Sequence, residues 1–102
     1  MRRAEIWWAQ PPGEPARPVL ILTRNPAIQV MERVLVVPLT TTVRGIPTEV
    51  PLGRGDGLPT DCVASLDDVA PIAKDYLVER LALLSPRRMS EVARALRRAT
   101  GC

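Results

Sequence analysis

The chain has 102 residues, 46% of them hydrophobic, and a formal net charge of +3, which suits one modest core and excludes wholesale disorder. Histidine is absent and the two cysteines stand far apart, at 62 and 102; the commonest general base is missing and no zinc-ligand spacing is present. No run approaches the roughly 18 apolar residues of a membrane span, and "MRRAEIWWAQPP" is too polar for a signal peptide, so a cytoplasmic protein with free thiols is expected.

Two tryptophans, one tyrosine and no phenylalanine require a core of Val, Leu, Ile and Ala. A core this small favours dimerisation, because a subunit interface extends it. The sequence pI of about 9.5 suits a polyanionic partner without identifying one.

Eleven prolines cut the chain into short segments, the mark of a strand-rich fold with many turns. "AEIWWA" (4–9) reads as a first strand, and "QPPGEPA" (10–16) as a loop. "RPVLILT" (17–23) and "RVLVVPLT" (33–40) are buried strands, joined by a polar connection with room for one helical turn. "TTVRGIPTEVPL" (41–52) holds a turn at Gly45 and then a strand whose prolines mark it as an edge. "GRGDGLPT" (53–60) is a glycine-rich turn, and "DCVASLDDVAPI" (61–72) reads as a further strand. "KDYLVERLALL" (74–84) fits a helical turn plus a short strand as well as it fits one helix.

The last segment is the clearest. Ser85 caps, Pro86 takes the first helical position, and Gly101 stands just past the end. Met89, Val92, Ala93, Leu96 and Ala99 make an apolar stripe, while Arg87, Arg88, Arg94, Arg97 and Arg98 form a solvated face with dipole partners in the last turn. The sum is an α+β chain of one domain (1–102), a small barrel or curled sheet with a C-terminal helix.

Chemistry narrows by elimination. There is no G-x-x-x-x-G-K, no Ser/His or Cys/His pair and no metal-ligand cluster. "GRGDGL" lacks the strand-to-helix context of a phosphate loop. Asp67 and Asp68 are adjacent on a strand-like run, which turns them to opposite faces and makes a poor acid–base dyad. What remains is arginine plus hydroxyl. Arg17 begins one strand and Thr40, Thr41 and Thr42 end another, where a rigid scaffold presents functional side chains. Arginine keeps its charge and offers five donors suited to phosphate oxygens, and a threonine hydroxyl adds one more. Together they suit the extra negative charge of a pentacoordinate phosphorane. A solvated strand-end arginine beside β-forming threonines fits the composition as well.

"RPVLILTRN" resembles the R-P-V-L-V-L-S-N-D segment of the MazF/PemK toxin family, and "VPLTTTVRGIPTEVPL" resembles its P-x-T-T-x-x-x-G-x-P-x-E-V segment more closely still. "AEIWWA" is similar to the family's G-E-I-W opening, and "RLALLSPRRMSEVARAL" to its closing strand and helix. The likeness spans nearly the whole chain, in order. It implies an SH3-like barrel with a C-terminal helix, usually a homodimer. The implied activity is sequence-specific, metal-independent and cofactor-free cleavage of single-stranded RNA, commonly messenger RNA, neutralised by a cognate antitoxin protein. The family's catalytic arginine falls on Arg17 and its catalytic threonine on Thr40. RNA is then expected in a basic groove across the two-fold, walled by the loops at 10–16 and 41–48, so that Gln10, Thr41, Thr42 and Arg44 become candidate RNA contacts. The family's first loop often carries a glutamate five residues before the arginine. Here Glu14 stands three before Arg17, and a catalytic acid at Glu14 departs from that pattern. A related toxin family with the same barrel poisons DNA gyrase and cleaves nothing, and is the alternative reading.

Overall fold

The computed structural model describes residues 1–101. Strands β1 (Glu5–Ala9) and β2 (Arg17–Ile21) lead through a short helix, α1 (Asn25–Ile28), into the long strand β3 (Arg33–Thr40). Strands β4 (Glu49–Leu52), β5 (Cys62–Ser65), β6 (Ala70–Ala73) and β7 (Leu77–Leu83) follow, and helix α2 (Pro86–Thr100) closes the chain. The strands form one antiparallel seven-stranded sheet in the order β4-β5-β3-β2-β1-β7, with β6 also on β3. β3 is the hub. Its start pairs with β6, from Arg33↔Ala73 to Val36↔Ala70, and its end pairs with β5 at Leu39↔Ala64 and Thr40↔Val63. Both partners lie on the edge opposite β2, so β3 bends from one half of the sheet into the other and curls it into a half-closed barrel.

This curl corrects the reading of residues 61–72 as one strand. A 3-10 turn at Leu66–Asp68 breaks it into β5 and β6. Asp67 and Asp68 therefore sit on a turn, where Asp67 accepts from the Thr48 hydroxyl at 2.6 Å and Asp68 from Ser65 Oγ at 2.8 Å. Residues 74–84 resolve into the turn-plus-strand alternative, a 3-10 turn at Lys74–Tyr76 running into β7. β4 is an edge strand, as its prolines require.

Both faces of the sheet are covered, which is why β2 and β3 read as near-continuous apolar runs. Ile6, Leu20, Val37, Leu39 and Ala64 point to one face, where Val92 and Ala95 of α2 close over them. Val19, Ile21, Val34 and Val36 point to the other and pack with Ile28 of α1 and Leu77. The α2 stripe is rotated slightly from its expected position. Ala95 is buried and Ala93 only half-buried, because the small Ala95 lets the helix approach the sheet.

The helix ends behave as the sequence dictates. Ser85 Oγ accepts from the Arg88 N–H at 3.2 Å, and Gly101 adopts φ +74° while its N–H donates to the Arg97 carbonyl. Arg88 departs from its expected solvated role. Its guanidinium donates to Asp56 and to Glu91, each at 2.9 Å, and ties α2 to the 3-10 turn Arg54–Asp56. Asp56 also accepts from the Gly53 N–H. The glycine-rich turn thus closes on its own carboxylate rather than offering amides to a phosphate. Cys62 is buried, and burial, followed by Asp56 and Asp61, pushes its thiol up. Its expected relation to Cys102 lies outside the described residues.

Glu5 is the one strongly buried carboxylate of β1, only 4% exposed. It accepts from the Arg2 N–H at 2.7 Å, the Trp7 indole at 3.0 Å and Arg80 at 3.1 Å. Burial opposes its charge, but these donors win and hold its pKa below the ordinary value. A depressed folded pKa gives stability that is present above the unfolded pKa and lost as the pH falls through the folded one. We expect Glu5→Gln to cost about 2 kcal/mol at neutral pH, with the gap from wild type closing in acid. Urea unfolding at pH 7 and near pH 3 checks both the size and the sign.

Candidate functional site

The β2–β3 ladder runs Ile21↔Val36, Leu20↔Val37 and Val19↔Pro38. It stops there for a physical reason. The Leu22 N–H donates to the Leu35 carbonyl, so the even-numbered residues of β2 turn their amides to β3; Pro18 has no N–H, and the next pair, Pro18 with Leu39, lacks its donor on β2. Carrying the register two residues further sets Arg17 opposite Thr40, on the same face as Val19 and Pro38. On its other side Arg17 pairs with Ala9 of β1. Two side chains 23 positions apart in sequence thus become cross-strand neighbours at the open end of a ladder.

Both line a groove of about 1010 Å³. Its walls also carry Glu14, Thr42, Arg44, Arg33 and Tyr76. Arg17 Nη2 donates to Glu14 Oε1 at 2.9 Å, with each side chain about half exposed (50% and 53%). Such a pair adds little to stability, but it fixes one edge of the guanidinium and leaves the remaining donors to face the groove. Thr40 is held differently. Its Oγ1 accepts from the Thr42 N–H at 3.1 Å, which leaves the hydroxyl proton free to donate.

The loop between β3 and β4 is organised by Glu49, a residue to which the sequence reading gave no role. Its carboxylate accepts from the Arg44 and Gly45 N–H groups, with the closest contacts at 3.0 and 2.9 Å. Gly45 takes φ +73°, which lets the chain turn back over the carboxylate. The Thr48 carbonyl and hydroxyl bind Leu66 N and Asp67, anchoring the loop's far end.

Of the expected site residues, Glu14, Arg17, Thr40, Thr42 and Arg44 meet in the groove. Gln10 and Thr41 do not line it. Both are exposed, and the Gln10 N–H is bonded to the Tyr76 carbonyl at 2.8 Å. The shorter first loop does not carry Glu14 away from Arg17; three residues of separation suffice to pair them. Within one protomer the groove carries both signs of charge. Its lining holds the carboxylates Glu14, Glu49 and Asp68 as well as Arg17, Arg33 and Arg44. Every one of those carboxylates already accepts an internal hydrogen bond, while no hydrogen bond or ion pair engages the Arg33 and Arg44 guanidiniums among the described residues. Arg33 and Tyr76 were missed because they come from the far ends of β3 and the 74–76 turn, and only the curl of the sheet gathers them.

The chain is thus a small, curled antiparallel barrel that sets an arginine and a threonine side by side at the open end of one ladder. The family model described as the PemK-like, MazF-like toxin of type II toxin-antitoxin systems matches residues 2–100, and the chain belongs to this family. It is 41% identical to a probable endoribonuclease MazF2 of Mycobacterium tuberculosis over 100% of both chains. It is 40% identical to a probable endoribonuclease MazF5 of the same species, over 98% of this chain and 93% of that one. Among solved structures, the Mycobacterium tuberculosis toxin MazF-mt6 superposes with a TM-score of 0.88 at 37% identity, covering 95% of this chain and 96% of that one. A mycobacterial endoribonuclease in complex with its cognate antitoxin superposes equally well, at 0.88 and 32% identity, covering 99% and 95%.

The Glu49 staple has a direct consequence. Glu49→Ala removes the acceptor bound by the Arg44 and Gly45 amides, a loss of about 1.5 kcal/mol per charged bond or about tenfold in local opening. Hydrogen exchange should show both amides exchanging about tenfold faster, with the β2 and β3 amides unchanged.

Proposed function

We propose that this chain is a sequence-specific, metal-independent endoribonuclease toxin of a type II toxin–antitoxin system, acting in the cytoplasm on single-stranded RNA. The observation that carries the reading is the register that sets Arg17 opposite Thr40 in a groove open to an extended chain. Cleavage proceeds by attack of a ribose 2′-hydroxyl on the adjacent phosphate. The P–O5′ bond breaks, and the products are a 2′,3′-cyclic phosphate and a 5′-hydroxyl end. Arg17 supplies charge to the equatorial oxygens of the phosphorane, and Thr40 donates a hydrogen bond to it. Glu14 aims the guanidinium from behind. Thr42 and Arg44 contact the RNA on one side of the cut. Loss of messenger RNA halts translation, and the cognate antitoxin relieves it by occupying the groove with an acidic segment that orders on binding.

The working unit is a homodimer with the groove shared across its two-fold. β7 ends the sheet and leaves Val78, Leu81 and Leu83 exposed along an unpaired edge, which a second subunit would cover. Sedimentation at micromolar concentration should give a dimer, and Leu83→Lys should shift it toward monomer.

Arg17→Ala should cut the cleavage rate about 100-fold or more without changing the melting temperature, since the side chain is half exposed. Thr40→Val should lose rate more mildly. Thr41→Val, outside the groove, is the control and should cut normally. Gel assays on a mixed transcript pool in excess EDTA test these together. Full activity of Arg17→Ala, or dependence on an added divalent ion not traceable to RNA folding, overturns the mechanism.

A further inference from the structure

The chain has three aromatic residues. Both tryptophans lie in β1 and are half-buried. Tyr76 is different. It lines the groove, is 36% exposed, and belongs to neither core cluster. No hydrogen bond engages its hydroxyl among the described residues. Its backbone, by contrast, is fixed on two sides. The Tyr76 carbonyl accepts the Gln10 N–H at 2.8 Å, and the 3-10 turn beneath it closes on the Lys74 carbonyl through Leu77 N. The ring lines the groove from a backbone hydrogen-bonded on two sides, and Pro71 and Ile72 belong to the same lining.

The register locates the Tyr76 backbone relative to that of Arg17. Leu77, next in sequence, pairs with Ala9, and Ala9 pairs with Arg17. With neighbouring strands about 4.8 Å apart, the Tyr76 backbone lies about 10 Å from that of Arg17 along the row of strands. Thr40, Arg17, Ala9 and Leu77 thus form one row across β3, β2, β1 and β7, with donors at one end and Tyr76 next in sequence to the residue at the other. That is the alternation a single-stranded nucleic acid requires, with charge or hydroxyl for phosphate and a flat π-face for a base.

We infer that Tyr76 is the stacking platform for a base within a few nucleotides of the scissile phosphate, and so a specificity-determining residue. The inference rests on the endoribonuclease reading. Stacking accepts any base but favours those with the larger π-surface, so Tyr76 contributes affinity and a bias at one position. The ring and not the hydroxyl carries the role.

The test first maps fragment 5′ ends from a transcript pool cut by the wild-type protein, then uses an oligonucleotide carrying one preferred site. Tyr76→Ala should raise KM about tenfold or more with kcat little changed, and Tyr76→Phe should match wild type. An abasic nucleotide scanned along the oligonucleotide should penalise the wild type at one flanking position and leave Tyr76→Ala indifferent there. The abasic scan on the wild type stands even if the alanine variant folds poorly. Unchanged KM in Tyr76→Ala, or an abasic penalty identical in both proteins, overturns the stacking role alone. A wild-type protein that cuts nothing in the pool overturns the nuclease reading itself.

Discussion

The site depends on where one ladder stops. β2 and β3 are bound together by apolar packing on both faces, yet Pro18 lacks the N–H that would carry their pairing one step further. Beyond the Val19–Pro38 pair the two strands run on without that backbone pairing to close the gap. Arg17 and Thr40 stand at that point, at the end of a ladder packed on both faces. The proline after the arginine is therefore part of the site, although it has no reactive group.

Carboxylates do the complementary work of holding loops in place. Glu5 gathers the N-terminus, β1 and β7; Glu49 folds the 41–48 loop; Asp56 closes the glycine-rich turn and binds α2 through Arg88. Each accepts from backbone amides as well as, in two cases, from arginine. An ionised carboxylate with several donors is worth more than a surface ion pair, because the bonds are short and directed. A chain with three aromatic residues and a small aliphatic core uses these local staples where a larger protein would use bulk.

The same staples explain how a groove with balanced formal charge still presents cationic donors. Glu49 and Asp68 spend their oxygens on the protein, and Glu14 engages one edge of Arg17. Arg33 and Arg44 keep their donors. Charge counting along the sequence sees only the net value; the field inside the groove is set by which partners are already taken.

Much of this was legible in the residues. Helix α2 with its Ser85, Pro86 and Gly101 signals, the edge character of β4, the buried runs of β2 and β3, and the placing of Arg17 and the threonines 40–42 at strand ends all follow from local patterns whose physics lies within a few residues, while the choice of Thr40 among the three came from the family resemblance. The break at Leu66–Asp68, the Arg88–Asp56 link, the burial of Ala95 and the roles of Glu49 and Tyr76 did not. They arise because one long strand takes partners along both of its edges and curls the sheet, bringing together residues from opposite ends of the chain. Sequence determined which segments would be strand, turn and helix, since those choices are made by neighbours. Which side chains share the groove was decided by tertiary structure alone, because register and curl are properties of paired strands that no single segment possesses.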